Sequence, residues 1–216
     1  MSTRPILEDL ENYQSLWHVD NLTYSSFVQK EELDNLTRLR EFVCQAAQPF
    51  HRENLEGHVT GSALVVNNSF TKVLLTHHRK LDKWLQLGGH ADGEHQVEKV
   101  ALKEALEESG LKKLKLLDPI SLILKKPHTR PLPFDIDIHK IPARKQEPAH
   151  YHYDLRYLVM AKEDENVIVS DESHDVKWWS LNEARPLNNE RSMLRQYHKL
   201  EALRPFHLKD SPCGTK

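Results

Sequence analysis

The sequence predicts an α/β fold of the α+β kind, in which a mixed β-sheet packs between helices. Three observations support this prediction. β-branched, strand-like segments follow one another from about residue 58 onward. One helical pattern interrupts these strands and a second follows them, which is typical of a sheet covered by helices. A helical pattern over residues 1 to about 55 adds a helical N-terminal extension to the sheet domain.

The N-terminal extension has apolar residues at spacings of three and four among Glu and Arg, and Pro49 ends this pattern. The apolar residues are Leu33, Leu36, Leu39, Phe42 and Val43. A segment of this length is too short to form a robust core alone. We therefore expect it to act as a lid or as the contact surface of a homodimer.

The strand and helix patterns divide the chain into three parts. Strands are expected at residues 59–67, 73–77, 84–87, 114–124, 134–141, 151–160 and 176–179, and helices at 96–109 and 188–203. The polar turn at 67–69 joins the first two strands as a hairpin. The expected organisation is an extension over 1–55, a domain over 56–204 and a flexible tail over 205–216.

The charge, hydropathy and cysteine content argue against several classes of function. Thirty Lys and Arg against 32 Asp and Glu give a net charge of −2, so no cationic field is available to collect nucleic acid or anionic membrane. No segment approaches the roughly 20 apolar residues of a membrane span. The two cysteines, Cys44 and Cys213, suggest no disulfide framework. We expect a cytoplasmic protein with no membrane or nucleic-acid partner.

The central helix carries acidic residues where core residues are expected. At about 100° per residue, its apolar stripe continues directly into a row of carboxylates. The stripe consists of Val97, Val100 and Ala101, followed by Glu104, Glu107 and Glu108. Three carboxylates at close range repel one another and require compensation. A hard divalent cation supplies it, although a solvated acidic helix end explains the same spacing.

The segment Gly89 to Leu111 resembles the 23-residue box of the Nudix superfamily. Its second half reads Lys-Glu-Ala-Leu-Glu-Glu-Ser-Gly-Leu over residues 103–111, in register with the box. Lys103 replaces the usual arginine, which keeps the charge but loses the two-pronged hydrogen bonding of guanidinium. Glu94 lies one place earlier than the usual loop glutamate. The resemblance implies a Nudix-like α/β/α sandwich.

The resemblance also implies a metal centre. Glu104, Glu107 and Glu108 are expected to bind Mg²⁺, or Mn²⁺ in its place, together with the backbone carbonyl of Gly88. Glu104 is the candidate general base for the attacking water.

Two further residues would support this centre. Lys103 is expected to orient Glu104. Glu94 is expected to stabilise the loop that precedes the helix.

The function implied by the resemblance is hydrolysis of a pyrophosphate linkage in a nucleotide-like small molecule, a nucleoside diphosphate linked to another moiety. The metal would supply the nucleophile as an activated water, so no covalent catalysis is needed. Three alternatives remain open. They are a non-catalytic nucleotide-binding regulator on the same fold, a prenyl diphosphate isomerase and a nucleic-acid end-processing enzyme. The isomerase is disfavoured because no cysteine lies near the box.

A second polar surface is predicted by two alternating strands. Asp135, Asp137 and His139 share one face of the first strand. The second strand places four polar residues on one face, namely His150, His152, Asp154 and Arg156. If the strands are neighbours, these rows form one patch. We expect His152, Asp154 and Arg156 to contact substrate, while a solvent-facing side of an antiparallel pair is the alternative.

A basic run, His-His-Arg-Lys over residues 77–80, precedes the glycine loop. It can contact phosphates or form an exposed turn, and the sequence does not decide between these interpretations.

Overall fold

The computed structural model describes residues 4–15, 26–125, 130–144, 147–162 and 166–208. Six helices lie within these ranges: α1 (Arg4–Ser15), α2 (Ser26–Gln45), α3 (Val97–Ser109), α4 (Pro119–Leu124), α5 (Leu181–Leu187) and α6 (Arg191–Leu208). The strands are β1 (Gly57–Asn67), β2 (Lys72–His78), β3 (Lys83–Leu85), β4 (Leu87–His90), β5 (Lys115–Leu117), β6 (Asp135–Ile141), β7 (His150–Ala161) and β8 (Ser173–Ser180).

The sheet is built around one long parallel pair, β1 and β7. These strands pair over the whole of β1, from Gly57 opposite Tyr151 to Asn67 opposite Ala161. Every residue of β1 is buried, as is typical of a strand that is covered on both faces. All the other strand pairings are antiparallel, so the sheet is mixed.

Each central strand changes its outer partner along its length. β1 pairs with β4 over Thr60–Ala63 and with β2 at Val65 and Val66. β7 likewise pairs first with β6 and then, from Leu158 onward, with β5. The sheet therefore has different outer strands at its two ends. β4 and β6 flank the earlier parts of β1 and β7, and β2 and β5 flank their later parts. This arrangement brings β4, β1, β7 and β6 side by side, and the candidate site lies on these four strands.

Helix α3 packs closely on β1 and β4. A Cβ atom at Gly61 would lie 2.9 Å from a side-chain carbon of Val97, so glycine permits this close approach. Val97 and Ala101 are buried on the same helix face. The buried face then continues through Ala105 and Ser109, which leaves the glutamates beside the face rather than on its centre line.

The N-terminal helices contribute to the same core as the sheet. Leu10 and Tyr13 of α1 and Leu39 of α2 are buried in the hydrophobic cluster that contains the strand residues. The side-chain amide of Asn35 donates a hydrogen bond of 3.0 Å to the backbone carbonyl of Ile136 in β6. The predicted helical pattern is therefore observed over α2, where Leu36, Leu39 and Val43 are buried while Leu33 is exposed. A homodimer through this segment stays a prediction.

The predicted strand over residues 114–124 is wrong beyond Leu117. The carboxylate of Asp118 accepts hydrogen bonds from the backbone amides of Ile120 and Ser121, both at 3.2 Å. Pro119 occupies the first turn, where its missing N–H is tolerated. Capping and proline together begin helix α4 at this point, because local hydrogen bonding prevails over the apolar run.

Helix α5 was not predicted, although its cap is visible in the sequence. Ser180 and Glu183 form a reciprocal capping box. Helix α6 runs to Leu208, so the first four residues of the predicted tail, 205–208, are helical. Residues 209–216, including Cys213, lie outside the described residues, and Cys44 is exposed on α2.

The predicted fold class is confirmed as a mixed, curled β-sheet with flanking helices. None of the described helices is both long and apolar enough to cross a membrane.

Candidate functional site

Two glutamates of α3 lie directly against the glycines of β4. The carboxylate of Glu108 accepts a hydrogen bond of 3.0 Å from the backbone amide of Gly88. A Cβ atom at Gly89 would lie 2.6 Å from the carboxyl carbon of Glu104. A glycine at this position is therefore what allows Glu104 to approach the strand so closely.

Burial sets the electrostatics of these two carboxylates. Desolvation raises the pKa of Glu108 to about 7, against the opposing effect of the hydrogen bond from Gly88. Burial also raises the pKa of Glu104, against the opposing charge of Lys103. Among the described residues, neither carboxylate forms an ion pair. Half-buried carboxylates of one helix face, beside backbone carbonyls of a glycine strand, are a donor set that fits a hard divalent cation.

Glu107 is the most exposed of the three glutamates. Its carboxylate lies 3.5 Å from the ammonium group of Lys103, one helical turn away, and both side chains are mostly exposed. Lys103 therefore lies beside Glu107, while its charge still lowers the pKa of Glu104. Its predicted role in orienting Glu104 stays a prediction.

Glu94 lies immediately before α3. Its carboxylate accepts a hydrogen bond of 2.8 Å from the backbone amide of Gln96, the residue before the first helical residue. Gln96 itself makes no side-chain cap, so Glu94 supplies an acceptor at the positive end of the helix. The predicted role of Glu94 in stabilising the loop stays a prediction.

A cleft of about 400 Å³ opens beside Glu104 and the two glycines. Its volume is within the range of small-molecule sites, roughly 300–1,000 Å³. Its other polar lining residues come from β1, β2, β4, β6, β7 and the loops: Arg52, Thr60, Ser62, His78, Lys80, Gln86, His90, Asp92, His139, His152, Asp154 and Glu172.

The two polar rows predicted from the sequence do form one patch. Strands β6 and β7 pair antiparallel, with Asp137 opposite Asp154 and His139 opposite His152. The neighbouring pair joins Asp135 to Arg156. His139, His152 and Asp154 line the cleft, so this end of the patch shares the cleft with Glu104.

Asp154 is buried in the lining of the cleft, and both of its carboxylate oxygens accept hydrogen bonds from other side chains. One carboxylate oxygen accepts hydrogen bonds from the hydroxyls of Thr60 at 2.9 Å and Ser62 at 2.8 Å. The other accepts from Arg156 at 2.8 Å and from Gln86 at 3.4 Å. Asp154 thus fixes the two hydroxyl side chains of β1 that line the cleft.

Arg156 does not line the cleft. Its guanidinium is 3% exposed and contacts Asp154 at 2.8 Å, Asp137 at 3.1 Å and Asp135 at 3.2 Å. The alternation that predicted a shared face is correct, but the far end of that face is covered by α6, whose Ser192 carbonyl accepts from Arg156. Arg156 is therefore the centre of a buried ion network.

The network continues into α6 and α2. Arg195 contacts both carboxylate oxygens of Asp135 at 2.9 Å, and Lys199 lies 2.9 Å from Glu32. Burial and the neighbouring Asp135 raise the pKa of Glu32 to about 8, and its carboxyl is hydrogen-bonded to the Tyr13 hydroxyl. Glu32, whose pKa is strongly raised, thus belongs to the buried ion network and does not line the cleft.

Comparison with known proteins identifies the family. Residues 57–200 match the family model of the NUDIX domain, which is about two thirds of the chain. The chain belongs to the Nudix family. The enzyme class predicted from the sequence, a Nudix pyrophosphohydrolase, follows from this membership. No curated protein matches the chain.

Several solved structures are similar to this Nudix chain. A NUDIX-family hydrolase from Clostridium perfringens is 29% identical, with a TM-score of 0.46, and the match covers 68% of this chain and 97% of that one. The Ap4A hydrolase of C. elegans in a binary complex is 15% identical, with coverages of 67% and 95% and a TM-score of 0.48. The NUDIX domain of Shewanella oneidensis NrtR, complexed with ADP ribose, is 14% identical, with coverages of 75% and 96% and a TM-score of 0.44.

Several cleft residues of this Nudix chain were not predicted. Glu172 lines the cleft, and its charge contributes to raising the pKa of both Glu104 and Glu108. It lies in the turn before β8, where no periodic pattern marks it. His90 follows the glycine pair directly, and its position beside a glycine loop is a signal that the sequence does contain.

The basic run at residues 77–80 is divided by the fold. His78 and Lys80 line the cleft. Arg79 donates a hydrogen bond of 2.9 Å to the backbone carbonyl of Ser173, and His77 stacks on Trp84.

Proposed function

We propose that this Nudix enzyme hydrolyses a pyrophosphate linkage in a nucleoside diphosphate linked to another moiety, with Mg²⁺ as its metal. The observation that carries the proposal is the approach of Glu104 and Glu108 to the Gly88–Gly89 strand at one wall of the cleft. These carboxylates are partly desolvated and form no ion pair among the described residues. A cation held here would compensate both the desolvation of the two carboxylates and their mutual repulsion.

Glu104, Glu107 and Glu108 would hold the ion together with the carbonyl of Gly88. When bound, a divalent ion neutralises the diphosphate, polarises phosphorus and lowers the pKa of bound water. Glu104 is the cleft-lining member of the set, and burial raises its pKa. Because Glu104 lines the cleft where the substrate would lie, we assign it to accept the proton of the attacking water.

Other residues that line the cleft supply groups that suit a charged substrate. Arg52 and Lys80 both line the cleft, and Arg52 is held by a two-point ion pair with Asp92. Cationic side chains at a cleft mouth attract phosphate groups. His152 and the hydroxyls fixed by Asp154 supply neutral donors and acceptors deeper in the cleft.

The test is a substrate panel. The full-length protein is assayed with nucleotide sugars, ADP-ribose, dinucleotides and nucleoside triphosphates, each with Mg²⁺, Mn²⁺ or a chelator. We expect turnover of a nucleoside diphosphate derivative into two phosphorylated products, and its loss with the chelator. A preference for nucleoside triphosphates would contradict the proposed substrate class.

The alternatives predict other outcomes of the same panel. Saturable binding without turnover of any compound would support a non-catalytic nucleotide-binding regulator. The prenyl diphosphate isomerase hypothesis lacks support, because no cysteine among the described residues lines the cleft.

A further inference from the structure

Three histidines from three different strands meet at the edge of the cleft. His58 of β1, His90 of β4 and His152 of β7 each offer a ring nitrogen, and these nitrogens lie within 4.8 Å of one another. The backbone fixes this arrangement, because His58 is paired directly with His152 and His90 is paired with Thr60, two residues along β1. Three imidazoles therefore converge from a rigid part of the sheet.

The most buried of the three has unsatisfied ring nitrogens. His58 is 2% exposed, and neither of its nitrogens makes a hydrogen bond of acceptable geometry with the described residues. A buried polar group that lacks a well-formed hydrogen bond is unfavourable, and a bound metal ion would satisfy it. Its ring lies 5.0 Å from that of His90 and 4.8 Å from that of His152, so its neighbours are the other members of the cluster.

A fourth imidazole lies beside the cluster. The Nε2 atom of His150 lies 3.4 Å from Nε2 of His152. Two nitrogens bound to one tetrahedral zinc ion, each at about 2.0–2.1 Å, are about 3.3 Å apart. The Nδ1 atom of His150 lies 2.9 Å from the backbone carbonyl of Pro148, so an N–H donated there leaves Nε2 free to bind a metal.

The donor atoms indicate which kind of ion fits. Mg²⁺ and Ca²⁺ prefer oxygen ligands, whereas imidazole nitrogens suit Zn²⁺ and neighbouring transition metals. Three histidines are a ligand set of catalytic zinc sites. Metals bind the neutral form of imidazole, which is already the main form of an ordinary histidine at pH 7.

We propose that His58, His90 and His152 form a binding site for a transition-metal ion of the zinc class, separate from the carboxylate site on α3. His90 and His152 also line the cleft that contains Glu104, so the ion would be held in the wall of the same cleft. This site does not depend on the proposed hydrolysis, because its ligands and its binding can be studied without any substrate.

Zinc binding to chelator-treated, dialysed full-length protein tests the proposal. Zn²⁺ is titrated calorimetrically in the presence of saturating Mg²⁺, which occupies the carboxylates. We expect one equivalent to bind. His90→Gln and His152→Gln should weaken binding more than about tenfold, because loss of even the partners of metal ligands weakens affinity by about 10–100-fold. Far-ultraviolet circular dichroism checks that both variants are folded.

Matched controls separate the two sites. His198→Gln removes an exposed histidine of α6, and Glu108→Gln alters the carboxylate helix. Both variants should bind Zn²⁺ as the wild type does. Loss of zinc binding in Glu108→Gln, or wild-type affinity in both His90→Gln and His152→Gln, would overturn the proposal.

The proposal can also be tested on the wild-type protein alone. Imidazole nitrogen resonances are followed by NMR during the zinc titration, and those of His58, His90 and His152 should shift together until one equivalent is bound. If no imidazole resonance of these three residues changes, the proposal is wrong. This result would leave the proposed hydrolysis unaffected, because that is measured separately with magnesium.

Discussion

The backbone amide of Gly88 donates a hydrogen bond of 3.0 Å to the carboxylate of Glu108. This contact joins the glycine strand β4 to the carboxylate face of α3 across 20 residues of sequence. It positions a desolvated carboxylate beside the carbonyls of the same strand. The proposed metal site therefore depends on the packing between one strand and one helix.

Glu104→Gln and Glu108→Gln should each reduce kcat by at least about 100-fold, because a lost metal ligand removes several kcal/mol of transition-state stabilisation. Gln preserves the shape of the side chain, so the fold should be retained. Turnover of the best substrate from the panel is measured at saturating Mg²⁺. Glu107→Gln should cause an intermediate loss, since its carboxylate is mostly exposed beside Lys103.

The control for these variants is Glu201→Gln, which removes a partly exposed carboxylate on α6 that is paired with Arg185. It should turn over substrate at the wild-type rate. Wild-type activity in Glu108→Gln at saturating Mg²⁺ would contradict the assignment of metal ligands.

Gly89→Ala should impair metal binding and catalysis, whereas the neighbouring variant Gly88→Ala should impair folding stability. The added methyl at residue 89 would meet the carboxyl group of Glu104, a flexible side chain that can move away. We expect a folded protein with weaker Mg²⁺ binding and lower kcat. The added methyl at residue 88 would lie 2.7 Å from the backbone Cα of Ser62, which cannot yield.

Gly88→Ala should therefore lower the thermal unfolding midpoint, whereas Gly89→Ala should leave it near that of the wild type. Scanning calorimetry measures the midpoint and an Mg²⁺ titration measures the affinity. Equal Mg²⁺ affinity in Gly89→Ala and the wild type would show that the position of Glu104 does not matter for the metal.

Arg156→Ala should destabilise the protein by about 3–5 kcal/mol, because it leaves buried carboxylates without their cation. Its guanidinium contacts three aspartates and is almost fully buried. Urea unfolding measures the change. Arg40→Ala removes an exposed arginine paired at 3.6 Å with Glu11 and should change the free energy by less than about 1 kcal/mol. A selective rise in KM with unchanged stability of Arg156→Ala would favour substrate contact instead.

Stability should depend on pH through Glu32. Burial and Asp135 raise its pKa from 4.5 to about 8, so the folded state retains a proton that the unfolded state has lost between these values. The contribution of Glu32 is therefore present at acid pH and is lost as the pH rises from about 4.5 to 8, with a slope of up to about 1.4 kcal/mol per pH unit. Glu32→Gln should remove this slope.

The measurement is the free energy of unfolding in urea from pH 5 to 9 for the wild type and the variant. Subtracting the two curves isolates Glu32 from other titrating groups. Glu201→Gln serves again as the control and should follow the wild-type curve. A difference curve that is flat over this range would contradict the raised pKa.

Local patterns in the sequence were sufficient for the central helix and most strands. The helical spacing of Val97, Val100 and Ala101 and the alternation of β6 and β7 depend on neighbours along the chain. The same alternation correctly placed Asp154 and Arg156 on one face. Residues 114–124 misled the strand prediction, because an apolar run fits both a strand and a short buried helix until Asp118 and Pro119 are considered.

By itself, the sequence determined the Nudix box, the order of its carboxylates and the polar faces of the two strands, because each of these depends on short-range spacing. Only the tertiary structure decided that Arg156 is enclosed while His152 faces the cleft, since this depends on where α6 lies over the sheet. It also decided that His58, His90 and His152 meet, because strands far apart in sequence are brought together by hydrogen bonding across the sheet.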